Sequence, residues 1–130
     1  MMHIHIGYSD PIAPINILIV KFFDLFLGVP SVLIEPKNER RQVYGNAGSF
    51  RHCRYGVEAR ILSGYFLGND ELLKWVFNNT LLAIKEANKY LDDAEDSIDI
   101  DVLKEDILEA MGGNVEVAKQ LVETFEIPMV

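Results

Sequence analysis

A helical pattern between Asn69 and Leu91 constrains the fold of this chain more than any other stretch. Asn69 is a favourable N-cap residue, because its side-chain oxygen can accept a backbone N–H of the first turn. Asp70 and Glu71 follow, where negative charge suits the positive end of the helix dipole. A helix of this length spans roughly 34 Å, the width of a small domain, so we expect most other elements to pack against it. Its apolar face recurs at helical spacing and includes Leu73, Val76, Thr80, Ala83, Ala87 and Tyr90.

The size and composition of the chain predict one folded domain, residues 1–130. Of its 130 residues, 49% are hydrophobic and 25% are charged, which is typical of a globular protein and gives enough apolar surface for a core. The single cysteine, Cys53, excludes an intramolecular disulfide and fits a reducing compartment. The first residues lack the basic flank of a secretory signal. We therefore expect a cytoplasmic protein.

The most apolar stretch of the chain runs from Ile15 to Leu27. It is shorter than the roughly 20 apolar residues that a membrane span needs, and it contains Lys21 and Asp24. We therefore expect a buried segment and no membrane partner. A helix is favoured, with Gly28 as its C-terminal cap and Pro30 preventing continuation, while the many β-branched residues keep a buried strand as an alternative.

The rest of the N-terminal half carries short strand signals. A weakly alternating run is consistent with a first strand, and two runs flanking a polar stretch predict a hairpin. A further run predicts a strand, and the last one fits a strand and a helix equally well. In order, these runs are His3 to Tyr8, Ser31 to Glu35, Arg41 to Tyr44, Phe50 to Tyr55 and Val57 to Leu67.

The C-terminal third predicts an acidic connector and a helical hairpin. The connector is Asp92 to Ser97, and Asp99 is positioned to cap a third helix. Gly112 to Asn114 can end that helix and cap the next one, and Pro128 closes the last. The fold class predicted is α+β, with a small antiparallel sheet in the N-terminal half packed on a long central helix and a C-terminal helical hairpin. The buried stripe of the third helix is expected to be Ile100, Leu103, Ile107 and Met111.

Charge is distributed unevenly along the chain, whose net charge is −8. Residues 1–60 carry seven lysines and arginines against five acids, whereas residues 61–130 carry five against fifteen. The acidic excess lies beyond Leu91, since the preceding helix is balanced. A net negative charge argues against nucleic acid as a partner. The acids either solvate the outer faces of surface helices, with the arginines pairing internally, or form a surface for a basic protein partner.

All five arginines fall within the stretch Arg40 to Arg60. Guanidinium groups suit phosphate and carboxylate, because their planar fork donates two parallel hydrogen bonds. An alternative interpretation is therefore a small anion-binding domain. Its candidate residues are Arg40, Arg41, Arg51, His52 and Arg54.

The sequence offers few side chains that could bind a metal or act as a nucleophile. His3 and His5 can share one face of a strand, whereas the adjacent His52 and Cys53 must point to opposite faces. A zinc site needs three or four converging ligands, and a Cys–His nucleophile needs the two groups in contact. We therefore predict no metal, no cofactor and no catalytic residue, and a non-enzymatic protein.

In overall character the chain is similar to the immunity proteins that neutralise bacterial toxins, which are small, acidic and cofactor-free. This resemblance implies an inhibitor whose acidic C-terminal face docks a basic, toxin-like partner such as a nuclease, and occupies the cleft that normally binds phosphates. A third class of function is a regulatory or accessory subunit that acts through an apolar oligomer interface, which includes a possible homodimer. The predicted partner-binding residues are Asp92, Asp93, Glu95, Asp96, Asp99, Asp101 and Glu105.

Overall fold

The computed structural model describes residues 2–35 and 49–130 of the chain. It confirms the predicted α+β class, with an antiparallel sheet from the N-terminal half, a long helix and a C-terminal helical hairpin. The elements are strand β1 (Met2–Gly7), helix α1 (Ala13–Phe23), a π-helical turn (Asp24–Gly28), helix α2 (Val29–Ile34), strand β2 (Phe50–Cys53), strand β3 (Gly56–Leu62), a 3-10 helix (Gly64–Leu67), and helices α3 (Asp70–Asp92), α4 (Lys104–Met111) and α5 (Val115–Thr124).

The sheet has the strand order β1-β3-β2, and both pairings are antiparallel. The strands predicted at the N-terminus and after Phe50 are therefore confirmed. The ambiguous stretch Val57 to Leu67 divides into a strand and a 3-10 helix. Val57, Ala59 and Ile61 of β3 are buried on the helical side of the sheet, because successive side chains of a strand point to opposite faces.

The element on which the others pack is the helical segment 13–34 formed by α1, the π-helical turn and α2. It contacts β2, β3, α3, α4 and α5, and Phe22, Phe23, Leu25 and Leu27 within it are fully buried. The expectation that the helix after Asn69 would fill this position is wrong. The reason is composition: that helix is amphipathic, whereas the segment 13–34 is apolar on nearly all sides and is excluded from water more completely.

Helix 13–34 continues through Gly28 and Pro30, where the sequence predicts an end. Proline has no N–H to donate, and its ring crowds the carbonyl four residues earlier, which is that of Phe26. The π-helical turn accommodates this crowding, and Asn79 Nδ2 of α3 donates a hydrogen bond to Phe26 O at 2.9 Å. Gly28 permits the close approach of α4, since a Cβ there would lie 2.5 Å from Met111 Cε.

The predicted hairpin from Ser31 to Tyr44 is wrong in its first half. The residues through Ile34 belong to α2 and not to a strand. Its second half, Arg41 to Tyr44, lies outside the described residues. The apolar contacts of α2 with α4 and α5 explain the difference, because a short β-branched run has no fixed preference between a buried helix and a buried strand.

Helix α3 has the start that the sequence predicts. Asn69 Oδ1 accepts the backbone N–H of Leu72 at 2.8 Å, which satisfies one donor of the first turn. The polar residues inside the helix make a structural contact, since Asn79 Nδ2 and Trp75 Nε1 both donate to Pro128 O, at 3.1 and 2.8 Å. The C-terminal residues are thereby fixed against the middle of α3.

The C-terminal hairpin begins later than predicted. Helix α4 starts at Lys104, and residues 100–103 form a turn, so Asp99 is not its N-cap. The hairpin turn itself is confirmed. Gly113 has the positive φ of 114° that favours glycine, and Asn114 Oδ1 accepts the N–H of Val117 at 3.2 Å.

One helical segment in the described part of the chain, Ala13–Ile34, is long and apolar enough to cross a membrane by length and composition. Within its most apolar window, 67% of the residues are buried inside the protein. This burial matches the expectation of a core segment, because the sheet and the other helices already cover its apolar surface.

Candidate functional site

The outer face of the sheet, opposite the helices, carries a polar cluster. Strand alternation places His3 and His5 of β1, Glu58 and Arg60 of β3, and Arg51 of β2 on this face. Glu58 lies opposite His5 on one neighbouring strand and opposite Arg51 on the other. Residues in such register have side chains close enough to interact directly. We call these five residues the polar face.

Glu58 is the centre of the polar face and is only 1% exposed. Its Oε1 lies 2.7 Å from His3 Nδ1 and 3.9 Å from His5 Nε2. Its Oε2 lies 2.7 Å from Arg51 Nη2 and 3.3 Å from Arg60 Nη2. A buried carboxylate is tolerated only when it is paired and hydrogen-bonded, and here each oxygen has its own set of partners.

The environment of Glu58 keeps it ionised. Burial raises the pKa of Glu58, but the Arg51 and Arg60 guanidinium groups and the His3 ring together lower it by more, so that its pKa lies below the ordinary value of 4.5. Without counting the imidazoles, one carboxylate and two guanidinium groups give the polar face one excess positive charge. A protein with a net charge of −8 thus has a locally cationic surface.

Tyr55, in the turn between β2 and β3, extends this cluster. Its hydroxyl forms a short hydrogen bond with His5 Nδ1, and the two rings lie 5.8 Å apart between centroids. A side-chain hydrogen bond with Cys53, burial and the nearby Glu58 charge raise the pKa of Tyr55. The phenol therefore stays protonated at neutral pH and holds the His5 ring in place.

The polar face remains accessible to a ligand although its central carboxylate is buried. The side chains of His3, His5 and Arg51 are 39%, 50% and 63% exposed. Arg60 has a buried Nε with no hydrogen-bond partner among the described residues. The arrangement can therefore offer guanidinium donors to an anion on one side of Glu58 and imidazole nitrogens on the other.

The anion-binding set predicted from sequence is not assembled at one point. Arg51 belongs to the polar face, but His52 points to the opposite side of the sheet, where its Nδ1 lies 2.8 Å from Asn16 Nδ2. Arg54 is exposed in the β2–β3 turn. Arg40 and Arg41 lie outside the described residues. Adjacent residues of a strand cannot share a face, and this separates Arg51 from His52.

The seven acidic residues predicted to bind a partner are all exposed. They lie at the last residue of α3, in the connector that follows it and in the first turn of α4, and we call them the acidic segment. Asp101 within it forms an ion pair with Lys21 of α1 at 2.6 Å. That the segment binds a basic partner stays a prediction.

A cavity of about 310 Å³ adjoins the acidic segment. It lies between α1, the start of β2 and α4, and its polar lining comes from Lys21, the buried Asp24, Asp101 and Lys104. Its apolar lining comes from Ile17, Val20, Phe50, Ile100, Ile107 and Leu108.

Glu58 and Arg60 are site residues that were not among those predicted from the sequence. The signal that was present is the alternation of β3, in which Val57, Ala59 and Ile61 point to one side and leave two charged residues on the other. What could not be read is the register, which brings distant β1 opposite β3. The prediction that His3 and His5 share a strand face is confirmed.

The fold and the polar face together define an α+β domain with a charged surface on an antiparallel sheet. The chain belongs to the family described as phage phiEco32-like COOH.NH2 ligase-type 2, whose model matches residues 2–103. No curated protein and no solved structure gives a significant match.

The matched residues 2–103 include the whole sheet, the helical segment 13–34 and α3. All five residues of the polar face lie inside them, whereas α4 and α5 lie outside. The family is named for an enzyme, which weighs against the prediction of a non-enzymatic protein. The hypothesis of a toxin inhibitor receives no support from the comparison and stays a prediction.

Proposed function

We propose that this chain takes part in carboxylate–amine ligation, the activity that names its family, and that the polar face binds an anionic group of the substrates. The observation that carries the proposal is the pair of guanidinium groups held by the buried carboxylate of Glu58. The whole polar face lies within the residues that match the family. The guanidinium pair and the family match are both independent of the acidic segment.

The chemistry of such a ligation demands anion binding. A carboxylate and an ammonium group join as an amide with release of one water, and the carboxylate must first be activated because its oxygen is a poor leaving group. A phosphoryl donor of the nucleoside triphosphate class can do this: the carboxylate displaces the nucleoside diphosphate and becomes an acyl phosphate. The ammonium group then loses a proton to solvent, and the free amine displaces phosphate, which carries away the oxygen that would otherwise leave as water. The carboxylate and the phosphoryl donor are both anions, for which guanidinium forks are well suited.

Arg51 is positioned to make such a contact. One of its terminal nitrogens holds Glu58 at 2.7 Å, while the side chain is 63% exposed. A guanidinium has five N–H donors, so donors remain for a ligand. Glu58 acts as a positioning residue, because it fixes the guanidinium before the ligand arrives and so reduces the entropy lost on binding.

An NMR titration tests this proposal. The ¹⁵N-labelled protein is titrated separately with N-acetylglutamate, as a carboxylate probe, and with ADP, as a phosphate probe. We expect saturable shifts at β2 and β3 with at least one probe, and about tenfold weaker binding in Arg51→Gln, as befits one lost charge-assisted hydrogen bond. Arg54→Gln is the matched control, since it removes an exposed arginine of the adjacent turn, and should bind as the unaltered protein does.

Two results would contradict the proposal. One is the absence of saturable shifts at the polar face with both probes. The other is equal weakening in Arg51→Gln and Arg54→Gln, which would mean that the probes respond to overall charge.

A second candidate function is the binding of a basic partner through the acidic segment. It is supported by the exposure of all seven acids and by the adjoining cavity of about 310 Å³. Interfaces often combine charged rims, which steer association, with a pocket that takes one buried anchor side chain. A toxin-like nuclease, whose substrate cleft is basic, is the partner class we expect.

Inhibition assays on a panel of purified basic nucleases test this second function. We expect inhibition by the unaltered protein that declines as salt is raised, and that is lost in the double variant Asp96→Lys/Asp99→Lys. Leaving Asp101 in place keeps its ion pair with Lys21 and isolates the effect of surface charge. Inhibition that survives the charge reversal would refute a role for the acidic segment.

A further inference from the structure

We infer that His3, His5 and Glu58 form a binding site for one divalent transition-metal ion, with Zn²⁺ as the best match. The inference goes beyond carboxylate–amine ligation and does not depend on it. It concerns the imidazole side of Glu58, whereas the proposed anion contact concerns the guanidinium side.

The three ligand atoms are already close together. One donor atom from each of the three residues lies within 4.8 Å of the other two. Zinc binds imidazole nitrogen and carboxylate oxygen at about 2.0–2.2 Å, so that two ligands of a tetrahedral site are about 3.4 Å apart. The gap between His5 Nε2 and Glu58 Oε1, at 3.9 Å, must narrow, and the contact between His3 Nδ1 and Oε1, at 2.7 Å, must widen.

The two carboxylate oxygens of Glu58 are divided between two kinds of partner. Arg51 and Arg60 contact Oε2, and both histidines face Oε1. A metal at Oε1 would therefore replace imidazole contacts and leave the arginine contacts intact. The side chain of His3 is 39% exposed, so its ring can move by the small amount that closure requires while the Tyr55 hydroxyl holds the His5 ring.

The surroundings supply the outer contacts that metal sites need. The hydrogen bond between His5 Nδ1 and the Tyr55 hydroxyl fixes the ring, and when Nδ1 donates to that oxygen, Nε2 has a free lone pair that points towards Glu58. Histidine ligands of metals usually donate their second nitrogen in this way. Arg51 and Arg60 hold the Glu58 carboxylate through Oε2, which leaves Oε1 facing the two histidines.

The donor set selects the class of metal. Two imidazoles and one carboxylate suit Zn²⁺ and Co²⁺, whereas Mg²⁺ and Ca²⁺ prefer oxygen ligands. Three protein ligands leave a fourth position towards solvent, as in catalytic rather than structural zinc sites. The nearby guanidinium groups of Arg51 and Arg60 oppose the added charge of the ion, so we expect binding weaker than that of a structural zinc site.

The first test is a calorimetric titration of the untagged, EDTA-treated protein with Zn²⁺, together with visible absorption on addition of Co²⁺. We expect one ion per chain and at least tenfold weaker binding in His5→Ala and in Glu58→Gln, since the loss even of outer contacts costs about that much. The matched control is His52→Ala, which removes an exposed histidine from the opposite side of the sheet and should leave binding unchanged.

The fold of each variant is checked before its metal affinity is compared with that of the unaltered protein. The affinity of Glu58→Gln is compared when its circular dichroism matches that of the unaltered protein. If Glu58→Gln is misfolded, His5→Ala decides whether the metal site exists, because the His5 side chain is 50% exposed.

The inference is overturned if the unaltered protein binds neither Zn²⁺ nor Co²⁺, if His5→Ala retains full affinity, or if His52→Ala loses as much as His5→Ala. Arg51→Gln separates this inference from the proposed function. It should weaken anion binding but still bind one metal ion per chain, because Arg60 continues to pair with Oε2 and the three ligand residues remain.

Discussion

The polar face and the acidic segment show two opposite uses of charge in one small protein. The acidic segment has seven acids, all exposed, and its ion pair between Asp101 and Lys21 lies in solvent. The polar face has a single carboxylate, but Glu58 is 1% exposed and has charged or titratable partners on both of its oxygens. The comparison teaches that the number of charges along a sequence does not reveal where electrostatic interactions are strongest, since burial decides how strongly each charge is felt.

The largest expected effect is that of Glu58→Gln. The amide keeps the size of the side chain but removes the buried charge, which leaves the guanidinium groups of Arg51 and Arg60 without the carboxylate that pairs with both of them. We expect the melting temperature to fall by more than in any other variant considered below. Thermal unfolding followed by circular dichroism measures this, with EDTA present to exclude a bound metal.

If the melting temperature fell less in Glu58→Gln than in a variant of the acidic segment, the contrast between the two regions would be contradicted. Arg54→Gln is the control, because it removes a charge from an exposed residue in the turn next to the polar face. Its melting temperature should stay close to that of the unaltered protein.

The pH dependence of stability should separate the same two regions. The pKa of Glu58 is below its ordinary value of 4.5 in the folded protein, so the folded state binds its proton less readily than the unfolded state. The stabilisation from Glu58 is therefore present above about pH 4.5 and is lost as the pH falls through the folded pKa. The difference in melting temperature between the unaltered protein and Glu58→Gln should shrink between pH 6 and pH 3, and a constant difference would refute this assignment.

Lys21→Gln tests the exposed pair. Lys21 Nζ lies 2.6 Å from Asp101 Oδ1, but both side chains are substantially exposed, at 41% and 59%. Pairs of this kind contribute about 0.2–1 kcal/mol, so we expect a loss of free energy of unfolding in that range, and less at 0.5 M salt, where screening is strong. Urea unfolding at the two salt concentrations measures it. A larger loss, unaffected by salt, would show that the pair is not solvent-screened.

The fold was predictable where the signal is local. The cap at Asn69 and the turn at Gly113 and Asn114 each depend on residues within a few positions, and the structure has them as predicted. The continuation of the helix through Pro30 was not predictable, because the carbonyl of Phe26 is satisfied from α3, far along the chain. A local rule that proline ends a helix fails when a tertiary contact replaces the missing hydrogen bond.

The candidate site shows the same division. That His3 and His5 share a face follows from the period of a strand and could be predicted. That Glu58 lies opposite His5 and Arg51 depends on strand order and register, to which a polar outer face gives no hydrophobic clue. The excess of acids beyond α3 is visible in the composition alone, and it led to the prediction of a binding surface in the region with the weaker interactions.

The smallest expected effect is that of Asp96→Asn, which completes the comparison. Asp96 is exposed, and its described hydrogen bond runs from its backbone N–H to Asp93 Oδ1 at 3.3 Å. The charge of the Asp96 side chain therefore contributes little to the stability of the fold. Removing one of many like charges reduces repulsion slightly, and surface changes of this kind stay within about 0.5 kcal/mol. We expect the free energy of unfolding in urea to be unchanged or slightly raised at low salt, and the gain to vanish at high salt. A clear loss of stability would mean that the acidic segment is organised by specific interactions, as the polar face is, and the contrast between a buried, paired charge and an exposed, repelling one would no longer hold.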